Sequence, residues 1–167
     1  MIGCGCDVCK SADPRDKRLR ASVLVEYGGL TILVDCGPDF RYQMLRAGVR
    51  HLDAILLTHN HLDHTGGLDD TRSFNLIESR PVNIYCEKYV EDALRRQYAY
   101  AFAEPRYPGA PEWHMHIIDP STKKPSAISS SLPLNVASPT AEAIRFSSDF
   151  FPRNTFVASI AIEELIL

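Results

Sequence analysis

The sequence predicts an α/β layered domain. Three observations carry that expectation. Short runs of β-formers alternate with stretches of helical spacing. The chain has 167 residues, enough for one domain with a real core. One apolar run, Asp53 to Thr58, leads directly into a histidine-rich turn followed by Gly66-Gly67, as a buried strand ending at a site would.

The elements follow in order. Ser22 to Tyr27 is rich in β-formers, Gly28-Gly29 marks a tight turn, and Leu30 to Asp35 forms a second strand. The pair reads as a hairpin whose second strand is nearly all apolar, hence buried on both faces. Cys36-Gly37-Pro38 breaks the strand. Pro38 suits a first helical turn, Phe40, Met44 and Leu45 follow at helical spacing, and Gly48 is a good stop. After the strand at 53–58, Leu68 to Ile77 reads as a helix and Pro81 to Cys86 as a strand. Tyr89 to Phe102 reads as an amphipathic helix, with Leu94, Tyr98 and Phe102 four apart. After Asp119 the texture changes. Pro120, Ser121, Lys123, Pro125, Ser126 and Ser129 to Ser131 resemble a linker, and beyond them only Thr155 to Ile162 has the look of a strand. The division expected is therefore 1–119 and a divergent tail, 120–167.

Composition excludes several classes. Net charge is -3 with no long like-charge run, so neither nucleic acid nor membrane is expected as the main partner. No window reaches the roughly 18 apolar residues of a membrane helix, and the first residues do not read as a signal peptide. A cytoplasmic location is expected. Five cysteines are an odd number, against a disulfide framework. The basic cluster Arg15, Lys17, Arg18 and Arg20 reads either as a solvated turn or as a phosphate-facing rim.

The chemistry lies in His59-Asn60-His61-Leu62-Asp63-His64. Imidazole nitrogen and carboxylate oxygen are ligands for zinc and related divalent ions. Residues two apart on an extended segment point to one side, so His59 and His61 can chelate one ion. Asp63 and His64, one step on, can reach a second. Two ions roughly 3.5–4 Å apart can clamp a hydroxide and polarise a phosphoryl or carbonyl group.

Thr58 to Leu68 resembles the HxHxDH signature of the metallo-β-lactamase fold, and Val34-Asp35-Cys36-Gly37 resembles that superfamily's strand-ending aspartate motif. Cys4 to Cys9, Asp13-Pro14-Arg15, Arg18 to Ser22, Gly37 to Arg41 and Gly67 to Arg72 resemble one subgroup. It contains the phosphodiesterase of phosphonate breakdown, which opens a ribosyl cyclic phosphate. The resemblance covers about residues 2–119. It implies a four-layer αβ/βα sandwich. His59 and His61 would hold one ion, Asp63 and His64 the other, with Asp63 and His64 also carrying the catalysis. Asp35 would orient the site from behind. It further implies zinc or manganese, and in-line attack on phosphorus by a metal-bound hydroxide. Asp69, Asp70 and Arg72 would cap and pair on the next helix, or support the ligands or contact phosphate.

Cys4, Cys6 and Cys9 form C-x-C-x2-C, a partial zinc site that needs a fourth ligand. Inert thiols and redox chemistry are the other readings. The subgroup resembled often carries a structural zinc here, completed by a distant histidine. Cys36 and Cys86 read as packing residues.

The far end departs from that pattern. The family's later histidine, bridging aspartate and final histidine have no counterpart, because His114 and His116 are the only histidines after His64. Two expectations follow: a fragment or shifted reading frame joined near Asp119, or a diverged protein completed by His114, His116 or a second chain. In the first case the sandwich's second half is absent and one sheet face is left exposed. The function expected is a metal-dependent phosphodiesterase acting on a small cyclic phosphate or related diester. A thioester or lactone hydrolase and a non-catalytic metal-binding fragment are the alternatives. A homodimer could cover an exposed face.

Overall fold

The computed structural model of the chain describes residues 2–27, 29–118 and the backbone of 145–146. The tail's expected strand at Thr155 to Ile162 lies outside the described residues. The strands are β1 (Val23–Tyr27), β2 (Leu30–Val34), β3 (Ala54–Leu56), β4 (Val82–Cys86), β5 (Trp113–Ile117) and β6 (Arg145–Phe146). The helices are α1 (Asp7–Lys10), α2 (Phe40–Ala47), α3 (Leu62–Thr65), α4 (Arg72–Glu78) and α5 (Lys88–Gln97). The strands form one sheet in the order β5-β4-β3-β2-β1-β6. β1 pairs antiparallel with β2 and β6. β2, β3, β4 and β5 run parallel, joined by helical crossovers.

The hairpin closes as the glycine pair predicts, with Tyr27 opposite Leu30. β2 departs from the expectation of burial on both faces: only Leu33 is fully buried, and its neighbours are half-buried. Strand alternation gives the reason. Leu24, Leu33, Ile55, Val82, Ile84 and Cys86 point to the helices and form the main core with Phe40, Met44, Leu68, Phe74, Val90 and Leu94. Each fully buried aliphatic side chain there contributes roughly 1.5–3 kcal/mol. The other face carries a smaller cluster, Ala54 and Tyr85 with Ile32, Leu56 and Ile118 packed on it. On that face Ala54 and Tyr85 are buried and Val25, Ile32, Val34 and Leu56 half-buried.

α2 ends where the sequence predicts, but it begins at Phe40 after the N-cap Asp39, so Pro38 precedes the helix and is not in its first turn. Gly48 adopts φ 66°, and its N–H donates to the Leu45 carbonyl. Phe40, Gln43 and Met44 make its buried face, while Leu45, expected inside, is exposed. Two expected helices are split. The first opens with a 3-10 turn at Leu68–Thr71 before α4. The second stops at Gln97, because Tyr98 turns out at φ −117°, ψ 41°, and a 3-10 turn follows at Ala99–Ala101.

The ends of the strands differ in character. Below the starts of β3 and β4, His51, Asp53, Glu78 and Arg80 converge. His51 lies 2.8 Å from Asp53 and 3.0 Å from Glu78, and Arg80 lies 2.6 Å from Glu78. Glu78 also accepts the Leu52 N–H. The opposite, carboxyl ends of β2 and β3 carry Asp35 and the histidine loop. Open parallel sheets characteristically place their sites there.

Candidate metal centre

Asp35 ends β2 in the left-handed region, φ 60°, where a non-glycine residue is strained unless its surroundings hold it. They hold it firmly. Its N–H donates to the Leu56 carbonyl at 2.9 Å, and its own carbonyl accepts from Ser22 Oγ at 2.8 Å. The carboxylate, on a residue 7% exposed, accepts from the Thr58 N–H at 2.9 Å and the Thr58 hydroxyl at 2.8 Å. It also lies 2.7 Å from His64 Nδ1.

These contacts fix two imidazoles. A carboxylate accepts only, so His64 Nδ1 carries a proton, and in the neutral imidazole Nε2 is the nitrogen with the free lone pair. The Thr58 hydroxyl commits its one proton to Asp35. It therefore accepts from His59 Nδ1 at 2.9 Å, which leaves Nε2 as the ligating nitrogen of the neutral ring as well. Ligating histidines are oriented in this way in metal sites. The His59 ring centroid stands 4.7 Å from His61 and 4.0 Å from His64. His64 Nε2 lies 3.5 Å from Asp63 Oδ2. The short helix α3 thus folds His64 back against His59, and His59 stands between the two other rings. His61 and Asp63 are exposed, His59 and His64 half-buried. The donor types, imidazole nitrogen and carboxylate oxygen, suit divalent ions, and two imidazoles are tied from behind, but no three of the loop's donor atoms lie within 4.8 Å of one another.

Two backbone contacts join the loops that carry these residues. The Cys36 N–H donates to the His64 carbonyl at 2.7 Å, and the Gly67 N–H to the Cys36 carbonyl at 2.9 Å. A Cβ at Gly37 would lie 2.3 Å from the Asp63 carbonyl oxygen, and one at Gly67 2.1 Å from that of Gly37. Neither position has room for a side chain.

The donor atoms of Cys4, Cys6 and Cys9 all lie within 4.8 Å of one another. They are the one such trio among the described residues. Tetrahedral zinc with bonds of about 2.3 Å suits that spacing. Hydrogen bonds, first from the Cys9 backbone and then from the Cys4 and Cys9 thiols, pull the Cys6 thiol down to about 7, which favours the ligating thiolate. None of the five cysteines forms a disulfide. Burial pushes the Cys36 thiol well up and the Cys86 thiol up to about 11, as packing residues require.

The other candidates are placed away from the four donors or already paired. Arg15 pairs with Asp13, Arg20 with Asp39 at 3.2 Å, and Lys17 reaches the Cys9 carbonyl. For these three the solvated reading suits better than a phosphate rim. Asp69 pairs with Arg72 at 3.2 Å and accepts the Tyr100 hydroxyl at 2.5 Å. His116 stacks on Tyr85 and meets Asn83 at 3.0 Å, with His114 beside it. This pair is on β5, two strands away from β3, so among the described residues it does not complete the site. Sequence reasoning missed Thr58, whose single hydroxyl links Asp35 to His59. Its position directly before the first histidine was the available signal.

The family model described as the beta-lactamase superfamily domain matches residues 31–163. The chain belongs to this family. The match runs past Asp119, beyond the motifs that carry the resemblance in the sequence. The fold is the metallo-β-lactamase fold. A diphosphatase from the PhnP family matches with a TM-score of 0.63 at 41% identity, over 71% of this chain and 44% of that one. An octanoyltransferase from Porphyromonas gingivalis is 41% identical over 152 residues, 90% of this chain and 28% of that protein. A ribonuclease Z from Bradyrhizobium sp. is 51% identical over 57 residues, 33% of this chain and 19% of the relative. The chain spans less than half the length of each. Among the described residues no helix is long and apolar enough to cross a membrane.

Proposed function

We propose that this superfamily member is a metal-dependent hydrolase of a phosphodiester, with a small cyclic phosphate or related diester as substrate class. His59, His61, Asp63 and His64 would hold two divalent ions, zinc or manganese, and Cys4, Cys6 and Cys9 a structural zinc. The observation that supports this most is the Asp35 carboxylate, which ties His64 directly and His59 through Thr58. Bound ions would supply Lewis acidity toward phosphorus and a water activated at neutral pH. The chain's own part is to present two Nε2 lone pairs and the exposed Asp63 carboxylate at one open end, and to hold them rigidly. The phosphorus reading draws on relatives named as a diphosphatase and ribonucleases.

Two observations favour other readings. The octanoyltransferase name speaks for acyl chemistry, though this chain matches only 28% of that protein, and it supports testing a thioester. No three of the loop's donor atoms close to within 4.8 Å of one another as those of the three cysteines do, which supports metal binding without turnover.

The test is hydrolysis of bis(4-nitrophenyl) phosphate, an aryl thioester and a short RNA with zinc or manganese. Metal content is measured by mass spectrometry beside it. Diester turnover lost in His61→Ala supports the proposal. Ions bound at the loop with no turnover of any substrate would leave the binding-only reading. No ion lost in a His59→Ala/His61→Ala double variant would sink both.

A further inference from the structure

Residues 65–71 join the histidine loop to α4, and an aromatic side chain holds each end of this segment. At one end the buried Tyr98 hydroxyl donates to the Thr65 carbonyl at 2.8 Å. At the other, Trp113 Nε1 donates to the Thr71 hydroxyl at 2.8 Å, which donates on to the Leu68 carbonyl at 2.7 Å. The two rings meet edge to face, centroids 5.4 Å apart at 89°. Burial first, then nearby negative charge, pushes the Tyr98 phenol up to about 12, so its hydroxyl stays a donor at any working pH.

Thr65 passes this restraint on. Its N–H and its hydroxyl both donate to the His61 carbonyl at 3.0 Å, and so does the His64 N–H. The position of Thr65 therefore sets the turn on which His61, Asp63 and His64 stand. Tyr98 belongs to the core and Trp113 packs against it, and neither is a candidate ligand. Tyr98 leaves the helical conformation of α5 at the point where its hydroxyl meets Thr65.

We propose that Tyr98 and Trp113 are positioning residues for the metal loop, fixing the spacing between its His59/His61 and Asp63/His64 halves. The inference rests on the metal-binding reading above. A hydrogen bond made equally well with and without metal contributes only to stability. One that holds the loop in its binding geometry contributes to affinity.

The experiment uses the full chain and its Tyr98→Phe variant, which keeps the ring and deletes the donor. Zinc affinity of the loop is measured by chelator competition, the cysteine-bound ion is counted separately, and unfolding is followed on metal-free protein. Loss of a partner bonded directly to a ligand typically costs 10–100-fold in metal affinity, and Tyr98, which acts one residue further back through Thr65, should cost about 10-fold, the lower end of that range. The expected result is a fall of that order at the loop, with the cysteine ion retained. Unchanged loop affinity with lowered metal-free stability would overturn the inference and leave Tyr98 a structural residue. A wild-type chain binding no loop ion would overturn the metal reading and this inference together. If Tyr98→Phe does not fold, Trp113→Phe carries the same test from the far end of the segment.

Discussion

Asp35 Oδ2 stands 2.7 Å from His64 Nδ1, and the same carboxylate reaches His59 through the Thr58 hydroxyl. One acidic group therefore orients two imidazoles. Asp35→Asn is the cleanest probe, because asparagine tolerates the left-handed backbone that Asp35 adopts. Its amide can still accept the Thr58 N–H but can turn a donor toward Nδ1. Loop metal affinity should drop 10–100-fold, read by chelator competition, while the thermal midpoint of the metal-free protein moves little.

Gly37 and Gly67 make the next prediction. A methyl group at either meets a backbone oxygen, Asp63 or Gly37 respectively, not a flexible side chain. Gly67→Ala should cost about 1–3 kcal/mol, as overpacking does, measured by urea unfolding. Metal content should fall with it. Stability equal to wild type would mean the two loops are not in contact.

Glu78 tests the other end of the sheet. It faces His51 and Arg80 and accepts the Leu52 N–H. Glu78→Ala leaves those donors short of a partner, and about 1–3 kcal/mol should be lost. The strand ends it supports are opposite the histidine loop, so loop metal affinity should hold. An equal loss of affinity would show that the two ends are coupled.

Glu91 gives the pH dependence. Hydrogen bonds from Lys88 first, and then Arg95, hold its carboxyl below its ordinary value of 4.5. Folding thus favours the ionised form, so the stabilisation is complete above about pH 4.5 and is lost as pH falls through the lower native value. Both cations are half-exposed or more, so the effect is small, about 1 kcal/mol. Wild type and Glu91→Gln should differ at pH 7 and converge in acid, followed by thermal midpoints from pH 7 to 3.

The sequence makes the hairpin, α2, β3 and the histidine loop legible because each is announced locally: a glycine pair, a proline before and glycine after, an apolar run, a dense ligand motif. β5 carries no such local announcement. Its core-packed Trp113 and Met115 alternate with two histidines, and Ile117 at its end is exposed, so the run looks polar. The convergence of His51 and Asp53 on Glu78 and Arg80 is invisible for another reason, since a crossover brings together residues far apart in the chain. Helical spacing over 89–102 concealed the break at Tyr98, because a side chain four residues after Leu94 fits a helix whether or not the backbone continues as one. The positive φ of Asp35 has no local signal either. It follows from what Ser22, Leu56 and Thr58 do to it.

The close approach of Gly37 and Gly67 also bears on how such a site can vary. The two crossings touch backbone to backbone, so neither can be lengthened, shortened or given a side chain without displacing the other. Variation in what the site accepts is thereby confined to side chains that point away from that contact. Leu62 and Tyr89 are both exposed, on and beside the histidine loop. Inheritance here should show two frozen turns framed by a freely drifting margin, and exchange of Leu62 or Tyr89 is the natural first step in redirecting selectivity.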